Sequence, residues 1–411
     1  MVSYPKALID CYSRLIARAE KTFVPGKPRA RSTKGDAVES LPSQRLLSLD
    51  VFRGAAIVGM ILVNNPGRWR VVYSQLQHAP WNGWTFTDMI FPFFLFSVGI
   101  SITFSFTRRI EQGHARSTLV FQAMKRTVLL FLLGIFLSNA PHFHMDNLRI
   151  PGVLQRIALC YFISSVLFLG SGWKGQASWM AALLLAYWLM TALIPVPGIG
   201  AGVYEPGRNF AAYVDSIFLE NHMWSAYRSW DPEGIVSTLP AVSSTLFGVL
   251  AGHCLRTAHS IPRKTLGMLA AGVLFLLLGL ALDPLLPINK SLWTSTYCVF
   301  MTGWALLCFG VFYWLIDGKG YRKWAFPFVV FGTNAIFAYG LSKLLDDLLK
   351  LVTIAPQGGG PRIRLKHCIF DFLNALAGTS KLASLLYAVL NVLAVFLVVY
   401  GLYRKRWFLK L

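Results

Sequence analysis

Ten stretches of mostly apolar residues recur along this chain, and that recurrence limits what it can fold into more than any other feature. They lie at approximately 46–65, 87–106, 127–140, 150–170, 177–195, 238–256, 265–283, 294–315, 325–345 and 382–403. A hydrocarbon core about 30 Å thick is crossed by about 20 helical residues. Backbone polar groups in lipid must be satisfied within a helix or a closed barrel. The expected fold is therefore all-α, a polytopic membrane bundle of about ten transmembrane helices. The third stretch is short unless its helix extends back over Arg126. Composition agrees: of 411 residues 55% are hydrophobic and 14% charged, against about 25% charged in soluble domains, and the mean hydropathy is +0.53.

The formal charge of +21 would suit nucleic acid, anionic lipid or the loop bias of a membrane protein. Placement decides. With the N-terminus cytoplasmic, 25 of the 39 Lys and Arg fall in inside segments and 11 in outside loops. This positive-inside pattern puts both termini in the cytoplasm and leaves no need for nucleic acid. Arg404, Lys405 and Arg406 are placed to touch lipid headgroups of the bilayer. Residues 1–44 form a polar tail without the apolar core of a cleavable signal, and 45–411 form the transmembrane domain. The six cysteines make no C-x-x-C pair and read as buried thiols, and no metal site is expected.

Ionisable groups inside or beside the spans are costly and hence informative. In the first span Asp50, Arg53 and Asn64 fall within about 60° of one another at 100° per residue. Asp50 and Arg53 can form an i,i+3 pair that only locks packing, and Asn64 can simply cap the helix end. An outer loop, His78-Ala-Pro-Trp81-Asn82-Gly-Trp84-Thr85-Phe-Thr87-Asp88, runs into the second span. There Thr85 or Thr87 can cap the helix and Asp88 suits its first turn, while His78 reads as either an interfacial or a working histidine. Arg149 and Arg156, seven residues apart on one face, demand anionic partners: Asp50, Asp88 or a phosphate-bearing ligand. Asp231-Pro-Glu233 closes the outer loop before the sixth span, Pro287-Ile-Asn289-Lys290-Ser-Leu-Trp293 precedes the eighth, and Asn334 sits within the ninth. Polar groups thus gather at the outer ends of the spans, which points to a cavity open to the outside and reached by a polar seam from the cytoplasm.

The blocks Ser48-Leu-Asp-Val-Phe-Arg-Gly54, Leu62-Val-Asn-Asn65, His78-Ala-Pro-Trp-Asn-Gly83, Asp88-Met-Ile-Phe-Pro92, Arg149-Ile-Pro-Gly-Val-Leu-Gln-Arg156, Asp231-Pro-Glu-Gly234, Pro287-Ile-Asn-Lys-Ser-Leu-Trp293 and Tyr403-Arg-Lys-Arg406, taken in order, resemble the heparan-α-glucosaminide N-acetyltransferase family. The resemblance covers about residues 45–411. It implies a transmembrane acyltransferase that takes acetyl from acetyl-CoA in the cytoplasm and delivers it to an amino sugar or glycan across the membrane. It further implies a bacterial-type member in the inner membrane, lacking the luminal N-terminal domain of lysosomal members. His78 then takes the active-site role, with Asn64 beside it.

On that basis His78 is either the nucleophile or the general base. Asp88 would orient its imidazole, and Asn64 or Asn82 would supply an amide to the developing oxyanion. Arg149, Arg156, Arg53 and Asp50 are the candidates for the acetyl-CoA site, and Trp81, Asn82, Glu233 and Asn289 those for the acceptor. Two other classes remain in play: a secondary transporter of a small polar or anionic solute, and an O-acetyltransferase of an envelope glycan. Transport is disfavoured because spans 1–5 and 6–10 show no convincing inverted pairing. A homo-oligomer stays open.

Overall fold

A computed structural model describes residues 46–141, 143, 145–227, 229–355 and 362–408. The polar tail and the Gln357–Gly360 run lie outside them. The long apolar stretches become helices: α1 (Leu47–Asn64), α2 (Phe86–Glu111), α3 (Arg116–Asn139), α4 (Val153–Gly170) and α5 (Trp173–Leu193), then, past the short α6 (Phe210–Phe218), α7 (Thr238–Arg256), α8 (Ile261–Leu282) and α9 (Ser295–Tyr313). After these come α10 (Phe326–Thr333), α11 (Ala335–Leu351), a two-stranded antiparallel hairpin of β1 (Thr353–Ile354) and β2 (Ile363–Arg364), α12 (Leu365–Ala377) and α13 (Ser380–Arg404). Among the described residues nine helices are long and apolar enough to cross a membrane, α9 being counted through Gly318, and α10 with α11 forms a further, bent pair. The bundle is thus all-α apart from one small hairpin.

The helices divide by how much they bury. α2 and α7 are each 72% buried over their apolar windows, whereas α5 is 17% buried. Apolar side chains on the outer helices, such as Leu185 and Leu189 on α5 and Leu274 and Leu277 on α8, are exposed, as lipid-facing residues should be. At the centre Phe52 of α1 meets Phe96 of α2 and Phe309 of α9 edge-on.

Without a hydrophobic drive between helices in lipid, close approach relies on small residues. α2 and α7 meet at Gly99 and Gly248, where a Cβ on either would overlap a carbonyl of the other helix. Gly248→Val is therefore expected to destabilise the bundle by about 1–3 kcal/mol through overpacking. Thermal melting of the purified protein in detergent checks this; an unchanged melting temperature would show that the interface yields.

One stretch takes the extension its length required, and another departs from a continuous span. The third helix does extend back, to Arg116. The ninth segment is broken: α10 and α11 are bent by 77° at Asn334, whose φ of −128° and ψ of 41° leave the helical region. Its amide donates to the Trp407 carbonyl at 3.2 Å, so the polar residue inside an apolar run marks the break.

The connections at the Asn64 end of α1 are tied together. The Gly83 N–H donates to the Ile288 carbonyl at 2.7 Å and that of Ile150 to His222 at 2.9 Å. The Trp81 indole donates to the Tyr204 carbonyl at 2.7 Å, and Arg68 pairs with Asp371 of α12 at 2.7 Å. Gly83, with φ of 90°, makes the left-handed turn that a side chain would strain.

Candidate active site

The start of α2 divides one carboxylate between two tasks. Thr85 is the extended N-cap and Asp88 the third helical residue. Asp88 Oδ2 accepts the Ala79 and Thr85 backbone N–H groups, each at 3.0 Å, which closes the loop onto the helix as in a capping box. Oδ1 remains for His78, whose Nδ1 lies 2.6 Å away. With a carboxylate as acceptor the proton belongs on Nδ1, so Nε2 keeps a free lone pair. Asp88 is 1% exposed, whereas the His78 side chain is 49% exposed. From α9 the Tyr297 hydroxyl donates to the Asp88 backbone carbonyl at 2.6 Å.

Lys290 stands in the connection stapled to this loop, where Asn289 Nδ2 donates to Asn82 Oδ1 at 3.0 Å. Its ammonium, followed by burial, pushes the His78 pKa below the ordinary 6.5, against the pull of Asp88 and Glu233. The imidazole is thus held neutral to lower pH.

A second cluster surrounds Arg149. Its Nε and Nη2 form a fork on Asp231 at 2.9 and 2.8 Å, and Nη2 also reaches Glu233 at 2.8 Å. Burial opposes the charge of Arg149, but the two carboxylates more than offset it and raise its pKa. The turn beneath is ordered by its own acids. Asp231 accepts the N–H groups of Trp224 and Glu233, and Asp215 of α6 accepts that of Ile235 at 2.9 Å. Burial pushes the Asp215 carboxyl up to about 6. Burial also acts upward on Glu233, but Lys290, Arg149 and Arg156 hold it well below the usual carboxylate range. Lys290 therefore acts on both clusters. Arg156, 1% exposed, donates from Nη2 to Ser237 Oγ and the Gly234 carbonyl and lies over the Trp293 ring at 5.1 Å. Its Nε and Nη1 have no partner among the described residues.

Of the residues singled out in the sequence, the structure joins His78 to Asp88, Arg149 to Glu233 and Asn82 to Asn289. Trp81 packs edge-on to Trp230 at 5.1 Å. Asn64 is exposed at the end of α1 from which the His78 loop departs. Asp50 and Arg53 lie elsewhere, since Asp50 is about 21 Å along the helix axis from Asn64. Arg53 sits 3.7 Å from Asp50 and donates to Ser101 of α2. The anionic partners of Arg149 are Asp231 and Glu233, not Asp50 or Asp88. Lys290, Asp215 and Tyr297 went without a role in the sequence. Lys290 alone carried a signal, a lone charge beside Asn289 in one of the quoted blocks.

A family model described as "Heparan-alpha-glucosaminide N-acetyltransferase, catalytic" matches residues 45–281, more than half the chain. The chain belongs to this family. The human heparan-alpha-glucosaminide N-acetyltransferase is 31% identical over 353 residues, covering 72% of this chain and 52% of the human protein. The mouse protein of the same name is 29% identical over 363 residues, covering 74% of this chain and 54% of its own length. The chain thus spans about half the length of the curated relatives it matches. The N-acetyltransferase family match takes in His78, Asp88, Arg149, Arg156 and Glu233, while Lys290 lies beyond it.

Proposed function

We propose that this protein is a transmembrane acetyltransferase that moves an acetyl group from cytoplasmic acetyl-CoA to an amino sugar or glycan on the far side of the membrane. The observation that carries this reading is the 2.6 Å contact of His78 Nδ1 with Asp88, which leaves Nε2 open at an exposed end of the bundle. Nε2 is placed either to accept the proton of the attacking amine or to attack the thioester carbonyl itself. In the first route the amine nitrogen bonds to the acetyl carbon and the C–S bond breaks, leaving the CoA thiolate to take a proton. In the second Nε2 bonds to the acetyl carbon as the C–S bond breaks and the CoA thiolate leaves to take a proton, giving an acetyl-imidazolium on His78; the amine then attacks that carbon, the bond to Nε2 breaks, and the amine gives up its proton as the neutral imidazole is restored. Both build negative charge on the carbonyl oxygen, for which the amide of Asn64 or Asn82 is the donor.

For the CoA phosphates the candidates are Arg53, with Asp50 fixing it, and Arg156, whose Nε and Nη1 are unspent. Arg149 fits a positioning role better, because Asp231 and Glu233 already occupy its fork. Glu233, held ionised, suits an ammonium or sugar hydroxyl, and Trp81, Asn82 and Asn289 are the other candidates for the acceptor. The positive-inside bias supports both termini being cytoplasmic, and the membrane proposed is the bacterial inner membrane. One observation favours the transporter as a second reading, since bent half-helices such as α10 and α11 recur in transporters.

The purified protein incubated with labelled acetyl-CoA and glucosamine is expected to pass label to the sugar. No transfer to amine or hydroxyl acceptors, with solute uptake into proteoliposomes instead, would favour transport. O-acetylation shows as label on a sugar whose amine is blocked. Because neutral His78 is the working form and its pKa is lowered, the acid limb of kcat/KM should have its midpoint below the ordinary 6.5 of an imidazole. Lys290→Met removes the largest downward push, so its acid limb should move to higher pH, while Lys290→Arg should keep the wild-type profile. An unmoved limb in Lys290→Met would show that Lys290 does not set the imidazole.

A further inference from the structure

A groove of about 240 Å³ runs between the Asn64 end of α1, the connection that leads on to His78, and the first turns of α13. Its walls are apolar: Leu62 of α1, Val72 and Leu76 of the connection, and Leu385 and Ala388 of α13. Lys381, the exposed second residue of α13, stands at its rim. This lysine makes no ion pair among the described residues.

The surroundings set the rim at a membrane–water boundary. α13 exposes Leu382, Leu386 and Leu390, which at steps of four form one lipid-facing stripe. α12 runs into α13 through Gly378 and Thr379, and it exposes Phe372 by 65% and Leu376 by 69%. At 100° per residue these two share an arc, and His367, Asp371 and Asn374 share a polar arc of the same helix. Apolar and polar arcs on one short helix are what the plane of an interface selects. Trp69 and Tyr73 of the connection, both exposed, are the residue types of an interfacial belt. An apolar groove beside a lipid-facing stripe, with an unpaired ammonium at headgroup depth, matches one phospholipid. An acyl chain fits the walls, the phosphate meets Lys381, and the uncompensated cation favours a headgroup of net negative charge.

The groove also bears on the chain before His78. The connection is stapled to α13, since the Gly67 N–H donates to the Ser384 carbonyl at 3.4 Å and the Arg68 N–H to the Ser384 hydroxyl at 3.2 Å. Leu76 ends the single 3-10 turn Ser74–Leu76, two residues before His78. We propose that this groove binds one anionic phospholipid from the leaflet on the His78 side, its acyl chain against Leu62, Leu76 and Leu385 and its phosphate on Lys381, and that the bound lipid steadies the turn preceding His78. The site takes no part in the acetyl chemistry and stands whether or not that reading holds.

In the test, the full chain is stripped of lipid in detergent and offered phosphatidylglycerol and phosphatidylcholine of the same acyl chains in equal amounts. Native mass spectrometry reads what is retained. The wild type is expected to hold its tightest lipid as phosphatidylglycerol, about fivefold over phosphatidylcholine, the size of one lysine–headgroup contact. Lys381→Gln should bring that ratio close to one, and Lys381→Arg should keep it. Ala388→Phe, which fills the groove, should retain one lipid fewer per chain. Phosphatidylglycerol should also slow deuterium uptake at the Leu76 and Gln77 amides, which donate to the Tyr73 and Ser74 carbonyls at 2.9 and 3.2 Å, and should slow it less in Lys381→Gln. Equal retention of the two lipids by the wild type, or a preference unchanged in Lys381→Gln, overturns the site. A two-chain mass that falls to one chain in Ala388→Phe with no lipid lost gives the groove to a second copy and overturns it as well. Lipid bound with uptake at both amides unchanged overturns the link to the His78 turn.

Discussion

Replacing His78 with alanine is expected to lower acetyl transfer by about 10²–10⁴-fold, the span typical of losing a positioned general base, while leaving acetyl-CoA binding in place. The loss follows from Nε2, the one nitrogen of the ring that Asp88 does not occupy. The fold should survive, because Asp88 Oδ2 keeps both of its backbone partners and the vacated space is at a half-exposed side chain. Turnover by labelled acetyl-CoA measures the effect, and equilibrium binding of the same donor is the control. Label retained on the wild-type protein without acceptor, and absent from His78→Ala, would mark the covalent route. Wild-type turnover in His78→Ala would remove this histidine from the mechanism altogether.

The largest loss of stability is expected from Arg149→Leu. The side chain of Asp231 is fully buried and that of Glu233 6% exposed, and both take their charge-assisted bonds from Arg149. Removing one partner of a buried ion pair leaves charge without compensation and costs about 3–5 kcal/mol. Arg149→Lys should recover only part of this, because an ammonium keeps the charge but not the planar fork on Asp231. Melting in detergent is the measurement. A variant as stable as wild type would mean that water reaches both carboxylates and that the cluster is less dry than its geometry implies.

What was legible in the sequence follows the range of the interaction concerned. Hydropathy is a local quantity, so the apolar helices could be placed from it, and the His78–Asp88 pair could be anticipated because ten residues and one capped turn separate them. The first half of α3 carries Lys125 and Arg126 and so falls out of an apolar count. The break at Asn334 does not show in hydropathy, which runs on through Phe331 and Ile336, and the Asn334 amide bonds there to the Trp407 carbonyl, far along the chain. In the same way Arg149 announced a need for anions, but its partners lie beyond three more helices. Lys290 is remote in sequence from His78, and the backbone staple between Gly83 and Ile288 together with the Asn289–Asn82 bond brings their connections together.

The division of Asp88 between a helix start and an imidazole has a kinetic consequence. The Ala79 and Thr85 amides that it accepts are protected from solvent exchange only while α2 stays closed at its first turn. Any opening there frees the same carboxylate that holds the His78 ring. Deuterium uptake at those two amides is thus a clock for how often the ring loses its partner, readable in the resting protein before any substrate is added.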